Sequence, residues 1–195
     1  MPAGTRTPRS RWIDAGLQAL AEGGPDTVRV EPLAVRLGVT KGGFYGYFAD
    51  RSAFLDELLS EWERRSTDDV LAQVEAEGGD AATKIIRAGA LTFSDELLAV
   101  DLAIRAWARH DPAVAARLRR VDNARIAYLR SLFGTFVDDP REVEARSTLA
   151  FALVIGQHFM AAEHGRLNRR KAVVLAGEFL VRTPGDQLGM SAKRL

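Results

Sequence analysis

"GVTKGGFYGYF", residues 38–48, is the stretch on which the reading of this chain turns. Its eleven positions hold four glycines, one lysine and four aromatic residues. Gly42 and Gly43 stand together where a helix begins, although each costs a helix about 1 kcal/mol relative to alanine. The flanking residues supply a reason. Ala34 is followed four residues later by Gly38, and Phe44 lies six beyond that. A small residue lets two helices cross closely, glycine takes a positive-φ turn, and an apolar residue anchors the second helix. This is helix-turn-helix spacing, in which the second helix lies towards the major groove of DNA. Thr40 caps that helix in this reading, and its N-terminal N–H groups suit phosphate oxygens. Gly42 and Gly43 keep side chains out of the way, Lys41 adds charge, and the hydroxyls of Thr40, Tyr45 and Tyr47 reach the DNA backbone. Phe44 and Phe48 turn inward. A glycine pair alone reads as a turn and an aromatic cluster alone as core; the combined spacing is what is specific.

Around this stretch the chain is all-helical. Its 195 residues are 47% hydrophobic and 27% charged, with a net charge of +1 and no cysteine. Disulfides and thiolate metal sites are therefore excluded. No secretory signal is visible at the N-terminus, and the run Leu149 to Ile155 is far short of the ~20 residues that span a bilayer. A soluble cytoplasmic protein with no membrane contact is expected. Arg6, Arg9 and Arg11 form a basic arm ahead of the first helix face. Helix punctuation is legible. Thr7-Pro8 opens a helix that Gly23-Gly24-Pro25 stops, a short helix runs from Val30 to Leu37 with Pro32 in its first turn, and Asp50 caps a fourth. Asp80, Asp111-Pro112 and "DPRE" (139–142) begin others, the last expected to reach Gly165. A final helix runs from about Asn168 to Val181, halted by Thr183-Pro184-Gly185. Three short helices followed by about six longer ones result.

The stretch "VEPLAVRLGVTKGGFYGYFADRSAFLDELL" (30–59) resembles the signature of the TetR family of transcriptional regulators, over roughly residues 8–60. The resemblance implies that Thr40, Lys41, Tyr45 and Tyr47 contact DNA, and that Arg51 replaces a usual lysine at the start of the fourth helix. Tyr47 stands where histidine is common, Gly46 where a basic or bulky polar side chain often reaches DNA, and Arg29 where a Ser or Thr often caps. With Gly42 and Gly43, these residues make the expected DNA-binding set: Arg29, Thr40, Lys41, Gly42, Gly43, Tyr45, Tyr47 and Arg51. The resemblance further implies a helix-turn-helix domain over residues 1–50 and a ligand-binding and dimerisation domain over 51–195.

In the larger part, residues 103–133 are similar to a segment in one common branch of these regulators. Trp62, Phe93, Arg105, Trp107, Tyr128 and Phe133 are candidate pocket residues, and ordinary core packing is the simpler reading of any one of them. A largely hydrophobic small-molecule effector is expected, with no cofactor. "TLAFALVIGQHFMAA" (148–162) is apolar on too much of its circumference for a surface helix. Ala152, Gly156 and Phe159, with Val173, Ala176, Phe179 and Leu180, are candidate homodimer contacts, and a two-fold dimer implies a palindromic double-stranded operator. Enzymatic readings lack support. His110, His158 and His164 are scattered, no phosphate-binding or nucleophile motif occurs, and Asp101 with Arg105 reads as a surface pair. The expected function is a repressor released by an effector; a helical protein–protein adaptor is the rival.

Overall fold

The computed structural model describes residues 8–182, and every described element is helical or irregular. In chain order they are α1 (Arg9–Gly23), a 3-10 turn (Pro25–Thr27), α2 (Val30–Leu37), α3 (Gly42–Tyr45) and α4 (Arg51–Arg64). A π-helical turn (Arg65–Asp69) leads into α5 (Val70–Glu77), α6 (Ala81–Thr92), α7 (Asp95–Ala108), α8 (Pro112–Phe133), α9 (Pro140–Gly156) and α10 (Arg169–Val181). Thr7, Arg6 and the stop at residues 183–185 lie outside the described residues. Two compact units emerge: the chain through Asp69 with Ser94–Val121, and Val70–Phe93 with the chain from Asp122 onward.

In the first unit, α1 buries Trp12, Ile13, Ala15, Gly16, Leu17, Ala19 and Leu20. It packs against α2, α4 and α7. Gly16 is required by that packing, because a Cβ there would stand 2.6 Å from Phe54 Cζ and 2.8 Å from Leu58 Cδ2. Asp50 caps α4 by accepting the Ala53 N–H at 2.8 Å, as its position implies. Pro8 occupies the N-cap of α1 rather than its first turn, without a side-chain bond. The Asp101–Arg105 pair, 2.7 Å apart, is no surface feature: Asp101 is fully buried, on the same side as Val100 and Ile104.

Arg65 joins α1 to the π turn by bonding Asp14 at 2.6 Å and Glu61 at 2.7 Å, while Arg64 holds Glu61 at 2.8 Å. The hydrogen bond from Arg64, then that from Arg65, outweigh burial and lower the Glu61 pKa from 4.5 to about 2. A depressed carboxylate stabilises the fold above its unfolded pKa and loses that contribution as pH falls through its folded value. We expect urea midpoints to fall between pH 5 and pH 2 by more in the native chain than in Glu61→Gln. The differential is about 1–2 kcal/mol after allowance for solvent screening. Parallel acid profiles for the two proteins would remove this network from the stability of the unit.

In the second unit, α5 and α6 form a hairpin turned by Gly78 (φ 67°) and Gly79 (φ 104°), conformations that favour glycine. Asp80 caps α6 through the Thr83 N–H at 2.8 Å. Ile85, Leu129, Leu132, Phe133 and Ala150 make the core. Arg146 donates to the carbonyls of Leu180 and Arg182 at 3.0 and 2.7 Å, fastening the end of α10 beside α9. The helix begun at Pro140 ends at Gly156, not Gly165. Glycine is a poor helix former, and no neighbour stands within 4 Å of a Cβ at Gly156 to hold another turn in place. Gly165, at φ 58°, is a turn. After α6, Ser94 begins α7 in extended conformation without a side-chain cap.

Candidate functional site

The helix-turn-helix forms as the spacing requires. Gly38 adopts φ 68° at the end of α2, and the Val39 N–H returns to the Ala34 carbonyl at 2.9 Å. Phe44, fully buried, meets Trp12, Phe48 and Phe54 with ring centroids 5.5, 5.0 and 5.1 Å away. That cluster fixes α3, which is only four residues long because Gly42 and Gly43 within it and Gly46 at its C-cap supply little helical propensity. Two expectations change here. Thr40 makes no side-chain cap; its carbonyl accepts the Gly43 N–H at 3.1 Å, and Lys41 occupies the cap position. The Gly43 and Phe44 N–H groups therefore bond Thr40 and Lys41 within the turn instead of standing open to phosphate.

The outer face carries Thr40, Lys41, Gly42 and Tyr45, all exposed, with Tyr45 at 56%. Gly43 is half-buried, and Tyr47 is half-buried against the core. Neither Gly42 nor Gly43 has positive φ. A Cβ at Gly42 would meet nothing nearer than Thr40 Oγ1 at 3.7 Å, and one at Gly43 nothing nearer than Trp12 at 3.8 Å. The chain's own packing therefore gives no reason for glycine at either position. Arg51 donates from Nε to the Val28 carbonyl at 2.7 Å and from Nη2 to the Pro25 carbonyl, bracing the start of α4 against the connection before α2. Arg29 likewise bonds the Asp26 carbonyl at 2.9 Å. Both arginines thus spend donors on the fold. Lys41 leans towards Glu31 at 3.9 Å, with both side chains two-thirds exposed. Val35, 80% exposed on the outer side of α2, went unnoticed; its signal is an apolar residue away from the Val30–Leu33–Ala34 face.

The second unit contains a cavity of about 340 Å³ between α5, α6, α8, α9 and α10. Its wall is mainly aliphatic, with Thr92, Arg125, Tyr128, Gln157 and Glu178 as polar members. Of the candidate pocket residues, Phe93 and Tyr128 line it. Tyr128 gives its hydroxyl to Glu75 at 2.6 Å, and Lys84 pairs with the same carboxylate. Burial and then Glu75 push the Tyr128 pKa above the ordinary tyrosine range. Trp62 and Trp107 belong to the core of the first unit or pack on it, and Arg105 is bound to Asp101 there. Phe133 is wholly buried in the core of the second unit. Those four do not line the cavity, because helical phase does not separate a cavity wall from a core. Arg125 was missed. It stands 6% exposed with its guanidinium 5.5 Å from the Phe93 ring centroid. The signal was available: Val121, Arg125, Tyr128, Leu129 and Leu132 share one stripe of α8, with a single cation among apolar residues.

Of the candidate dimer contacts, Ala152, Phe159 and Phe179 are exposed, and Gly156, Val173, Ala176 and Leu180 are half-buried. Val173 and Leu180 also line the cavity. Leu149, Val174 and Leu175 add exposed aliphatic surface at 55, 51 and 49%. His158 packs against Phe93, centroids 5.9 Å apart, in the irregular segment after α9. Among the described residues no three potential ligands gather for a metal, and no helix is long and apolar enough to cross a membrane.

The profile of bacterial regulatory proteins of the tetR family matches residues 13–58. The HTH-type transcriptional regulator BetI of Escherichia coli K12 is 30% identical over 182 residues, covering 88% of this chain and 91% of that protein. The chain belongs to the TetR family. Its fold is that of solved transcriptional regulators. FadR from Bacillus subtilis, solved with stearoyl-CoA, aligns with a TM-score of 0.63 at 18% identity over 89% of this chain and 98% of that one. A transcriptional regulator from Saccharomonospora viridis, solved with choline, aligns at 0.64 and 17% identity over 88 and 94%. This TetR-family chain is accordingly an all-helical transcriptional regulator with an N-terminal helix-turn-helix, and its relatives are regulators rather than enzymes.

Proposed function

We propose that this TetR-family regulator is a homodimeric repressor that leaves a palindromic operator when a small, largely apolar molecule enters the cavity of its second unit. DNA reading is assigned to residues 1–50 and ligand binding with dimerisation to 51–195. The observation that carries the reading is the pairing, in one chain, of a glycine-fronted α3 with an apolar cavity of about 340 Å³. That volume falls at the lower end of the range typical of ligand pockets. The two ligand-bound neighbours, one with stearoyl-CoA and one with choline, support a ligand site in this fold. Glycines without an internal reason fit a surface that another backbone approaches closely.

Selection of bound sequences from random duplex DNA, followed by affinity measurements at several salt concentrations, tests the reading. An enriched palindrome is the expected result; binding that shows no sequence preference and no salt dependence would favour the adaptor. Lys41→Ala should weaken binding on every sequence and reduce the salt slope by about one counterion. An unchanged slope would take Lys41 off the DNA face. Gly42→Ala should separate folding from function. Stability rises by about 0.4–1 kcal/mol, because alanine fits the observed backbone, while operator affinity falls. Unchanged affinity in that variant would mean that DNA does not approach this glycine.

A further inference from the structure

This inference rests on the cavity being the effector site and names what it takes. We propose that the ligand is an uncharged molecule with a compact apolar body and one hydroxyl-like group, which meets Thr92 and Gln157.

Charge is already matched along the wall. Arg125 is paired with Asp122 at 3.6 Å, and its guanidinium lies 5.5 Å from the Phe93 ring centroid. The Tyr128 hydroxyl is given to Glu75 at 2.6 Å, and Lys84 holds the same carboxylate. Glu178 lines the cavity but is exposed, so water solvates its charge. A carboxylate or ammonium entering here would leave its own hydration for a surface whose ionic groups are paired or wet. Its desolvation would go uncompensated, a cost that a neutral molecule does not meet.

Two polar groups of the wall are not spent in this way. Thr92 is buried on α6 and lines the cavity, and its hydroxyl makes no hydrogen bond among the described residues. It does not even take the carbonyl of the preceding turn, the usual outlet for a threonine within a helix. Gln157 donates Nε2 to the Val154 carbonyl at 3.2 Å, which fixes the orientation of its amide. Its carbonyl oxygen then has no donor among the described residues. Both residues stand at one level of the cavity. A Cβ on Gly89 would lie 3.4 Å from Val154, and Phe93 packs on His158, so α6 and α9 run side by side in the same direction. Thr92 and Gln157 each come one position before the second of these pairs.

A ligand hydroxyl can accept from Thr92 and donate to Gln157. A carboxylate has no proton for the Gln157 oxygen and repels it. An ammonium could donate to both oxygens, but would stand beside the Phe93 ring on which Arg125 already lies. The body follows from the volume. An apolar cavity of about 150 Å³ takes benzene, so one of about 340 Å³ takes on the order of a dozen non-hydrogen atoms, in a ring or a chain. Gly177 of α10 offers a way to obstruct it. Leucine there would enter the cavity, and no atom stands within 4 Å of the new Cβ.

Equilibrium dialysis of the full chain decides the matter, using two frameworks with four head groups each. The first set is decanol, chlorodecane, decanoate and decylammonium; the second is naphthol, chloronaphthalene, naphthoate and naphthylmethylammonium. At least one alcohol should bind, tenfold or more tightly than the carboxylate and the ammonium of its own framework. Thr92→Val should weaken that alcohol about fivefold, the worth of one hydrogen bond, and leave its chloro counterpart unchanged. Gly177→Leu should weaken the alcohol and the chloro compound alike by tenfold or more, with helicity unchanged. A charged compound that binds as tightly as its alcohol, silence from both frameworks, or indifference to Gly177→Leu would each overturn the proposal. Equal losses of alcohol and chloro compound in Thr92→Val would overturn the place given to the head group. Should Thr92→Val fail to fold, the head-group series on the unaltered chain and Gly177→Leu still decide. Duplex binding of the same preparation is measured in parallel. A chain that holds DNA and ignores both frameworks overturns the ligand class alone, whereas one that holds no duplex overturns the regulatory reading.

Discussion

Phe44→Ala should lower the stability of the chain by about 3–5 kcal/mol, the cost of emptying a fully buried aromatic site. The ring is 0% exposed and touches Trp12, Tyr45, Phe48 and Phe54, with centroids 5.0 to 5.5 Å away. Little else holds α3, whose four residues include two glycines. Operator binding should therefore vanish although Phe44 has no solvent-exposed surface to offer DNA. Urea denaturation monitored by circular dichroism, with an operator gel shift beside it, reads both effects. A loss below 1 kcal/mol would mean that Trp12, Phe48 and Phe54 close over the vacancy, and α3 would then owe its place to something other than this ring.

The second large effect concerns the outer surface of α9 and α10. Phe179 is 66% exposed, with the Arg182 guanidinium 5.5 Å from its ring centroid, and Leu175 and Leu149 are about half-exposed. Aromatic residues of this kind anchor interfaces, and truncating one typically costs 2 kcal/mol or more. Phe179→Glu should raise the dimer dissociation constant by a factor of 100 or more, about 3 kcal/mol, because a carboxylate must then be desolvated in the interface. Sedimentation velocity at micromolar concentration should show dimer for the native chain and monomer for the variant, with equal helicity. A variant that remains dimeric at nanomolar concentration would place the contact elsewhere.

Local chemistry was readable from the residues. Gly38 at positive φ, the caps at Asp50 and Asp80, and the start of α8 at Pro112 each depend on a few neighbours, and each stands where its spacing put it. What escaped depends on partners distant in sequence. Arg51 reads as a cation for DNA, and its bonds to the carbonyls of Val28 and Pro25, far back along the chain, are not visible in its neighbours. Trp62 and Phe133 share the helical periodicity of the residues around this cavity yet belong to the core clusters of the first and second units, while Arg125 was passed over although its stripe was in view. The end of α9 at Gly156 was also hidden, since the apolar run continues through residues that fold outside any helix.

Gly177 lies inside α10, lines the cavity, and would place a Cβ within 4 Å of no other atom, and this bare helix wall gives the cavity an evolutionary bias. A single-base change replaces glycine with alanine, and the substitution strengthens α10 by about 1 kcal/mol while reducing the cavity. Drift towards a smaller cavity therefore meets no folding barrier. Enlargement is different, because the lining residues Ile85, Leu129 and Ala150 are buried in the core, and trimming an aliphatic one costs about 2–5 kcal/mol. A lineage descending from this sequence can shed cavity volume in one step, but must accumulate stabilising changes elsewhere before it regains any.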